Sequence, residues 1–141
     1  MTTQAQLSEQ NLRIVQDMYA AFPRGDIAFI LDRFAEELED FGVLSTTSTG
    51  VPWHFKGRTK ADVVRYFEAL GGAIDTQVFE VRDYAAMGEH VYATLYMEAV
   101  VRATGKRFKF GEVIHHFTLR GGKVVRWSGS EDTALTASVV G

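Results

Sequence analysis

Apolar and polar residues alternate along most of the second half of the chain. The alternation covers residues 77–84, 90–102, 106–120 and 123–131, and glycine-containing turns separate the four runs. Successive side chains of a β-strand point to opposite faces, so period-two runs of this length predict strands, and short turns predict that neighbouring strands are antiparallel. The second half therefore predicts an antiparallel meander of long strands.

The first half carries helical periodicity instead. Over residues 8–22, Leu12, Val15, Tyr19 and Phe22 recur at the spacing of one helix face, which predicts an amphipathic helix. The segment "PRGD" ends it, and the aspartate of that segment is placed to cap a second short helix.

A third helix is predicted from residue 59 onward. The segment "TKAD" at 59–62 resembles a capping box, and an apolar stripe follows it up to Leu70. The glycine pair at 71 and 72 predicts the end of this helix. Three helices followed by a curved sheet of four or five strands predict an α+β fold, in which the helices cover one face of the sheet.

The segment between the second and third helices predicts a short strand, "LEDFGVL", and then a long loop over residues 45–57. Thirteen residues exceed an ordinary connection, which indicates either a functional or a mobile loop. Trp53 and His54 in this loop are candidates for a lid or a pocket rim, and a simply exposed loop is the alternative.

The composition narrows the class of protein. The chain has 141 residues, 46% of them hydrophobic, which predicts one domain with one core, and we expect residues 1–7 to be flexible. A net charge of −3 with no basic cluster argues against nucleic acid as a partner. No apolar stretch is long enough for a membrane span, no signal peptide is evident and no cysteine is present, so we expect a cytoplasmic location without disulfides.

The run 90–102 is apolar on both of its predicted faces. Val91, Leu95 and Met97 fall on one face, and Tyr92 and Tyr96 fall on the other. One face can pack against the helices. The opposite face is too apolar to be left bare across several strands, so it is a candidate for a homodimer interface.

Four segments resemble the nuclear transport factor two-like superfamily, in its SnoaL-like polyketide cyclase and ketosteroid isomerase-like branch. They are "GDIAFILDRFAEELED", "FKGRTKADVVRYFEAL", "HHFTLRGGKVVRW" and "EDTA". The resemblance implies a cystatin-like α+β roll, in which three helices pack on a strongly curved antiparallel or mixed sheet to form a conical half-barrel. It also implies a pocket inside the cone, a small apolar molecule as partner and a homodimer through the outer sheet face.

The resemblance assigns candidate catalytic roles to two residues. Asp40 matches the proton-shuttling base of the isomerases, after a two-residue gap that preserves its facing on a strand. A carboxylate in an apolar cone has the raised pKa that suits a general base or acid. His115 matches the position of an acid in the isomerase oxyanion hole. The isomerase tyrosine of the first helix is replaced by Met18, with Tyr19 one position further on.

The remaining candidates would bind the substrate by lining the pocket. The resemblance places residues from the last strands there, and the tyrosines among them are potential hydrogen-bond donors to an oxyanion. The full substrate-binding set is Tyr19, Trp53, Tyr92, Tyr96, Glu98, Val113, Phe117, Trp127 and Glu131.

The hairpin "HHFTLRGGKVVRW" decides which of two adjacent histidines faces the pocket. A three-residue loop over 120–122 would set His115 opposite Trp127, whereas a two-residue Gly-Gly loop would set it opposite Ser128. The first alternative keeps the positions that the resemblance assigns to the pocket on one face. We therefore expect His115 to point inward and His116 to point toward the outer face.

Motifs for metals and cofactors are missing from the sequence. The only adjacent histidine pair diverges across a strand, there is no glycine-rich phosphate loop, and a G-x-S-x-G elbow is absent. We expect neither a metal nor a cofactor. Two functions remain open: an enzyme that performs cyclisation, isomerisation, dehydration or hydrolysis on a small carbonyl compound by acid–base chemistry, and a non-catalytic module that binds a small apolar ligand.

Overall fold

The computed structural model describes residues 2–45 and 48–140. Its helices are α1 (Gln4–Ala21), α2 (Ile27–Asp32), α3 (Lys60–Ala73) and α4 (Thr133–Val140). Its strands are β1 (Glu37–Val43), β2 (Gly57–Thr59), β3 (Ile74–Met87), β4 (His90–Val101), β5 (Arg107–Lys109), β6 (Val113–Arg120) and β7 (Lys123–Ser130).

The strands form one mixed sheet in the order β2-β1-β7-β6-β4-β3, with β5 pairing beside β4. β1 and β7 run parallel, and the other pairs are antiparallel. The two ends of this order do not pair with each other, so the sheet is curved but not closed. The predicted α+β class is confirmed, and α4 is added to the three predicted helices.

Capping residues set where two of the helices begin. The Thr3 side chain accepts a hydrogen bond from the Gln6 backbone N–H, and the Gln6 side chain accepts one from the Thr3 N–H. This capping box starts α1 at Gln4, so residues 4–7 are helical, although the sequence analysis expected flexibility over 1–7. Thr59 and Asp62 form the predicted box at the start of α3.

The glycine pair near the end of α3 does not terminate the helix, contrary to the prediction. Gly71 and Gly72 lie within α3, which continues to Ala73 before Ile74 adopts an extended conformation. None of the helices in the described residues combines the length and the apolar composition that crossing a lipid bilayer requires.

The core lies between the helices and the concave face of the sheet. On β4, alternate residues from Val91 to Val101 are buried, as the period-two pattern predicts, and α1 packs across β3 and β4. These alternate residues are Val91, Ala93, Leu95, Met97, Ala99 and Val101. The helices therefore cover the face of β4 that the alternation of apolar residues predicts to be buried.

The β6–β7 hairpin has a two-residue loop, not the three-residue loop that we favoured. Arg120 pairs with Lys123, and both loop glycines have positive φ values, as a tight hairpin turn requires. The register then shifts between Thr118 and Leu119, so that one extra residue of β7 stays unpaired. This β-bulge sets His115 opposite Gly129 and keeps its ring on the concave face.

The long loop between β1 and β2 packs into the fold. Val51 is 4% exposed and Trp53 is fully buried, so the loop is part of the core wall. Residues 46 and 47 of the predicted loop lie outside the described residues. Trp53 is thereby held under the helices, on the same side of the sheet as the buried residues of β4.

Candidate functional site

A cavity of about 90 Å³ lies inside the cone, between the helices and the concave face of the sheet. Most of its wall is aromatic or aliphatic and comes from α1, α2, α3, β1, β3, β4, β6 and β7, together with the long loop. Its side chains with polar atoms are Tyr19, Trp53, Tyr66, His115, Trp127 and Glu131. We call this space the central cavity.

Tyr19 and His115 form a hydrogen-bonded pair in the wall. The Tyr19 hydroxyl lies 2.7 Å from His115 Nδ1, and the two rings stack with 15° between their planes. His115 also packs edge-on against Trp127 at 5.0 Å between ring centroids. The second ring nitrogen, Nε2, makes no hydrogen bond within residues 2–45 and 48–140, so it is available to a ligand.

Burial keeps both members of this pair neutral. Loss of solvation lowers the pKa of His115 to about 4, although the nearby Glu131 acts in the opposite direction. Burial likewise raises the pKa of Tyr19 well above its ordinary value. At neutral pH a phenol therefore faces a neutral imidazole. If the phenol donates to Nδ1, Nε2 carries the imidazole proton and can donate it to a ligand.

Glu131 is a buried carboxylate at the other side of the wall. Its side chain is 7% exposed and accepts hydrogen bonds from Trp53 Nε1 at 3.3 Å and from the Thr136 hydroxyl at 2.5 Å. One donor comes from the long loop and the other from α4. A carboxylate has about four acceptor sites, so these two hydrogen bonds fix Glu131 and leave capacity for a ligand.

His54 lies behind Glu131 and is 2% exposed. Its Nδ1 lies 2.8 Å from the Thr49 hydroxyl, and its Nε2 lies 3.4 Å from Glu131 Oε2 without meeting hydrogen-bond geometry. The Val51 N–H donates to the Thr49 hydroxyl at 3.2 Å, which orients that hydroxyl toward His54. The imidazole thus adds a polar edge to the surroundings of Glu131.

Tyr66 completes the polar part of the wall. Burial raises its pKa, and the charge of Glu131 raises it further, so the hydroxyl keeps its proton. The ring packs edge-on against Phe41 and Trp127, at centroid distances of 5.4 Å and 5.5 Å. The central cavity therefore presents a carboxylate, a phenol that keeps its proton, and the Tyr19–His115 pair within an otherwise apolar wall.

The profile of the SnoaL-like domain matches residues 15–127 of the chain. The chain belongs to the SnoaL-like domain family. None of the curated proteins matches it.

Solved structures share the fold of this SnoaL-like domain. An NTF2-like protein from Burkholderia thailandensis is 26% identical, with a TM-score of 0.81 over 93% of this chain and 97% of that one. TerC, co-crystallized with polyporic acid, is 17% identical, with a TM-score of 0.79 over 93% of this chain and 98% of that one. A Xanthomonas campestris protein, provisionally named a polyketide cyclase, is 18% identical, with a TM-score of 0.74 over 96% and 99%.

The expectation that Asp40 lines the pocket of this SnoaL-like domain is wrong. Asp40 pairs with Arg126 on the outer face, and its carboxylate lies 3.7 Å from the Lys56 ammonium group. Leu38 and Phe41 are both buried although they are three positions apart, because the register of β1 shifts between residues 37 and 41. The shift breaks the alternation on which the inward orientation of Asp40 depended.

Three candidates on β4 also lie on the outer face, contrary to the resemblance. The Tyr96 hydroxyl donates to Glu98 at 2.5 Å, and the Arg82 guanidinium lies over the Tyr96 ring. Tyr92 is 39% exposed and stacks on His116. The concave face of β4 belongs to the residues that alternate with these three, and Met97 is the one that reaches the central cavity.

The other candidates lie together in the wall of the central cavity. They are Tyr19, Trp53, Val113, His115, Phe117, Trp127 and Glu131. His116 lies on the outer face, where its Nε2 is 2.9 Å from His90 Nδ1.

Sequence reasoning missed the groups that surround Glu131. Thr136 donates to it, and Tyr66 faces the same cavity from α3. His54 was considered only as a rim residue, whereas its ring is buried. Tyr66 is at helical spacing from the apolar stripe of α3, and this spacing could have predicted that its side chain faces the core. Within the described residues, no three His, Cys, Asp or Glu side chains form a group that could hold a metal ion.

Proposed function

We propose that this SnoaL-like domain is an enzyme that performs acid–base chemistry on a small apolar carbonyl compound in the central cavity. One observation carries the proposal: the Glu131 carboxylate and the neutral donors Tyr66 and His115 lie in the wall of the same apolar cavity. Glu131 takes the role of base that the sequence analysis gave to Asp40.

The reaction begins with removal of a proton from the carbon next to the substrate carbonyl. Glu131 accepts this proton, and the electron pair of the broken C–H bond moves to the carbonyl oxygen to form an enolate. The Tyr66 O–H and the His115 Nε2–H donate hydrogen bonds to that oxygen. In a substrate with an adjacent double bond, return of the proton from Glu131 to the far carbon gives isomerisation. Attack of the enolate carbon on a second carbonyl of the same molecule, whose oxygen takes up the proton from Glu131, gives cyclisation.

The surroundings of Glu131 support a role as base. Trp53 and Thr136 hold the carboxylate in one orientation, which lowers the cost of aligning it with a substrate C–H bond. The apolar wall excludes water that would compete for the carboxylate and for the enolate oxygen. The neutral state of His115 is also suitable, since a neutral imidazole has one N–H to donate.

The test is exchange of the α-protons of 2-heptanone for deuterium in D₂O, followed by NMR. We expect the wild-type protein to accelerate exchange over buffer and Glu131→Gln to lower the protein-dependent rate by about 100-fold or more, the scale expected for losing a positioned base. Asp40→Asn is the matched control, because it removes a carboxylate from the outer face, and it should exchange at the wild-type rate.

A non-catalytic binding module is the second candidate. The fixed position of Glu131 favours it, because a carboxylate held by Trp53 and Thr136 also serves to orient a bound ligand. Binding of 2-heptanone without any acceleration of exchange would support this candidate and overturn the enzyme proposal. An unchanged rate in Glu131→Gln would remove Glu131 from the role of base.

A further inference from the structure

A second cavity adjoins the central cavity at the end of α3. It has a volume of about 170 Å³ and is lined by Phe22, Ile27, Phe67, Leu70, Gly71, Ile74 and Thr76. We call it the outer groove. Phe22, Phe67 and Leu70 line both spaces, so they form the partition between them.

The ionisable side chains are all on one side of this partition. Tyr66, His115 and Glu131 line the central cavity, whereas the only polar side chain of the outer groove is that of Thr76. The two spaces together therefore suit an elongated molecule with a polar head and an apolar tail. Along α3, Tyr66 and Gly71 are five residues apart, which corresponds to roughly 7.5 Å at the helical rise.

The two glycines of α3 supply an independent observation. Glycine weakens a helix interior, and neither Gly71 nor Gly72 has the positive φ that would require it. No close approach requires it either, because a Cβ added at either position would meet no atom within 4 Å. At Gly71 the space that a side chain would fill is next to the outer groove. A side chain at position 71 would therefore narrow the outer groove, whereas one at position 72 would not, because Gly72 lines neither space.

We propose that the outer groove binds the apolar tail of the ligand whose carbonyl head lies in the central cavity. The substrate class is thereby an elongated ketone or a related neutral carbonyl compound with an aliphatic or aromatic arm. The inference rests on the proposed function for the placement of the head. Phe22 and Phe67, whose ring centroids are 6.3 Å apart, pack against each other in the partition, so the arm enters the outer groove when these two rings move apart.

The test measures binding of straight-chain 2-alkanones, from 2-pentanone to 2-undecanone, by quenching of tryptophan fluorescence. Both tryptophans of the chain line the central cavity, so the signal reports on the head group. In the wild-type protein we expect affinity to rise by about fourfold for each added methylene that becomes buried.

Two variants fill the outer groove from opposite walls. Gly71→Leu adds a side chain from α3, where the Gly71 carbonyl keeps its hydrogen bond from Arg102, and Thr76→Phe adds one from β3. In these variants we expect the affinity to stop rising at a shorter chain length. 2-Undecanone should bind the variants at least tenfold more weakly than it binds the wild type, while the affinity for 2-pentanone should be unchanged. Gly72→Leu is the matched control, because Gly72 lines neither space, and it should follow the wild type.

An equal dependence on chain length in the wild type and both filled variants would overturn the proposal, as would a failure of every ketone to bind. The result is separate from the test of catalysis, because it needs no turnover. If Glu131→Gln exchanges deuterium at the wild-type rate, the proposed role of Glu131 fails. The affinity of the wild type should still rise with chain length in that case if the outer groove holds the tail.

Discussion

The buried imidazole of His115 makes the stability of the fold depend on pH. In an unfolded chain a histidine titrates near pH 6.5, whereas burial lowers the pKa of His115 to about 4. Between these values the unfolded chain binds a proton that the folded protein does not. Acidification through this window therefore favours unfolding, and the stability that His115 contributes at neutral pH is lost as the pH falls.

The magnitude follows from the two pKa values. Between pH 7 and pH 5 we expect this single group to lower the free energy of unfolding by about 2 kcal/mol, and by about 3 kcal/mol once the pH is below 4. The facing groups do not cancel the effect. Tyr19 and Tyr66 remain protonated throughout, and the attraction of Glu131 is already included in the lowered pKa.

The assay is urea unfolding of the wild type and His115→Gln at pH 7 and pH 5. Glutamine keeps a polar group near Tyr19 but does not titrate, so the variant should lose about 2 kcal/mol less than the wild type over this interval. Carboxylates elsewhere affect both proteins and cancel in the comparison. His116→Gln is the control. Loss of solvation lowers the pKa of His116, and the charges of His90 and Arg126 lower it further, but its ring is on the outer face. The change in pH dependence caused by this substitution should therefore be smaller than that caused by His115→Gln. Equal losses in wild type and His115→Gln would refute this account.

Three further outcomes are expected. Gly129→Ala should lower the free energy of unfolding by about 1–3 kcal/mol, because its Cβ would lie 2.8 Å from the Trp127 ring. Thermal unfolding followed by tryptophan fluorescence would measure this loss, and unchanged unfolding would contradict the packing. Thr136→Val should cost about 1–3 kcal/mol in urea unfolding, because it removes a hydrogen bond to the buried Glu131, and a neutral effect would mean that this bond is unimportant. The outer face carries exposed Tyr92 and Ile114, so light scattering at micromolar concentration should give a homodimer through this face, and a monomer would speak against it.

Local patterns predicted most elements of the fold, although they missed β2 and α4 and merged β5 and β6 into one run over 106–120. Alternation over 90–102 predicts both β4 and its buried face, and the box at Thr59 and Asp62 predicts the start of α3. The parallel pairing of β1 with β7 is a contact between distant segments, and no local pattern indicates it. The glycine pair in α3 misled the prediction, since glycine marks a helix end only where the backbone adopts a positive φ.

Alternation along a regular strand predicted which face is buried, but the resemblance placed Tyr92, Tyr96 and Glu98 on the wrong face of the regular strand β4. His115 and Val113 follow strict alternation along β6, and both reach the central cavity. Asp40 fails because the shift in β1 depends on pairing with β2, which the residues of β1 alone do not encode. Trp53 and His54 could be recognised as unusual, but their contact with Glu131 depends on how a long loop folds back.

The unpaired residue of the β6–β7 hairpin, Val125, has an evolutionary consequence. Its deletion would join Val124 directly to Arg126, and these residues already pair with the consecutive residues Leu119 and Thr118, so the rest of β7 would keep its register and its facing. Loss of this single codon would thus leave the cavity wall contributed by β7 in place. In related sequences, a one-residue alignment gap at this position therefore keeps the later columns of β7 on the same faces, whereas a one-residue gap further along the strand exchanges interior for exterior.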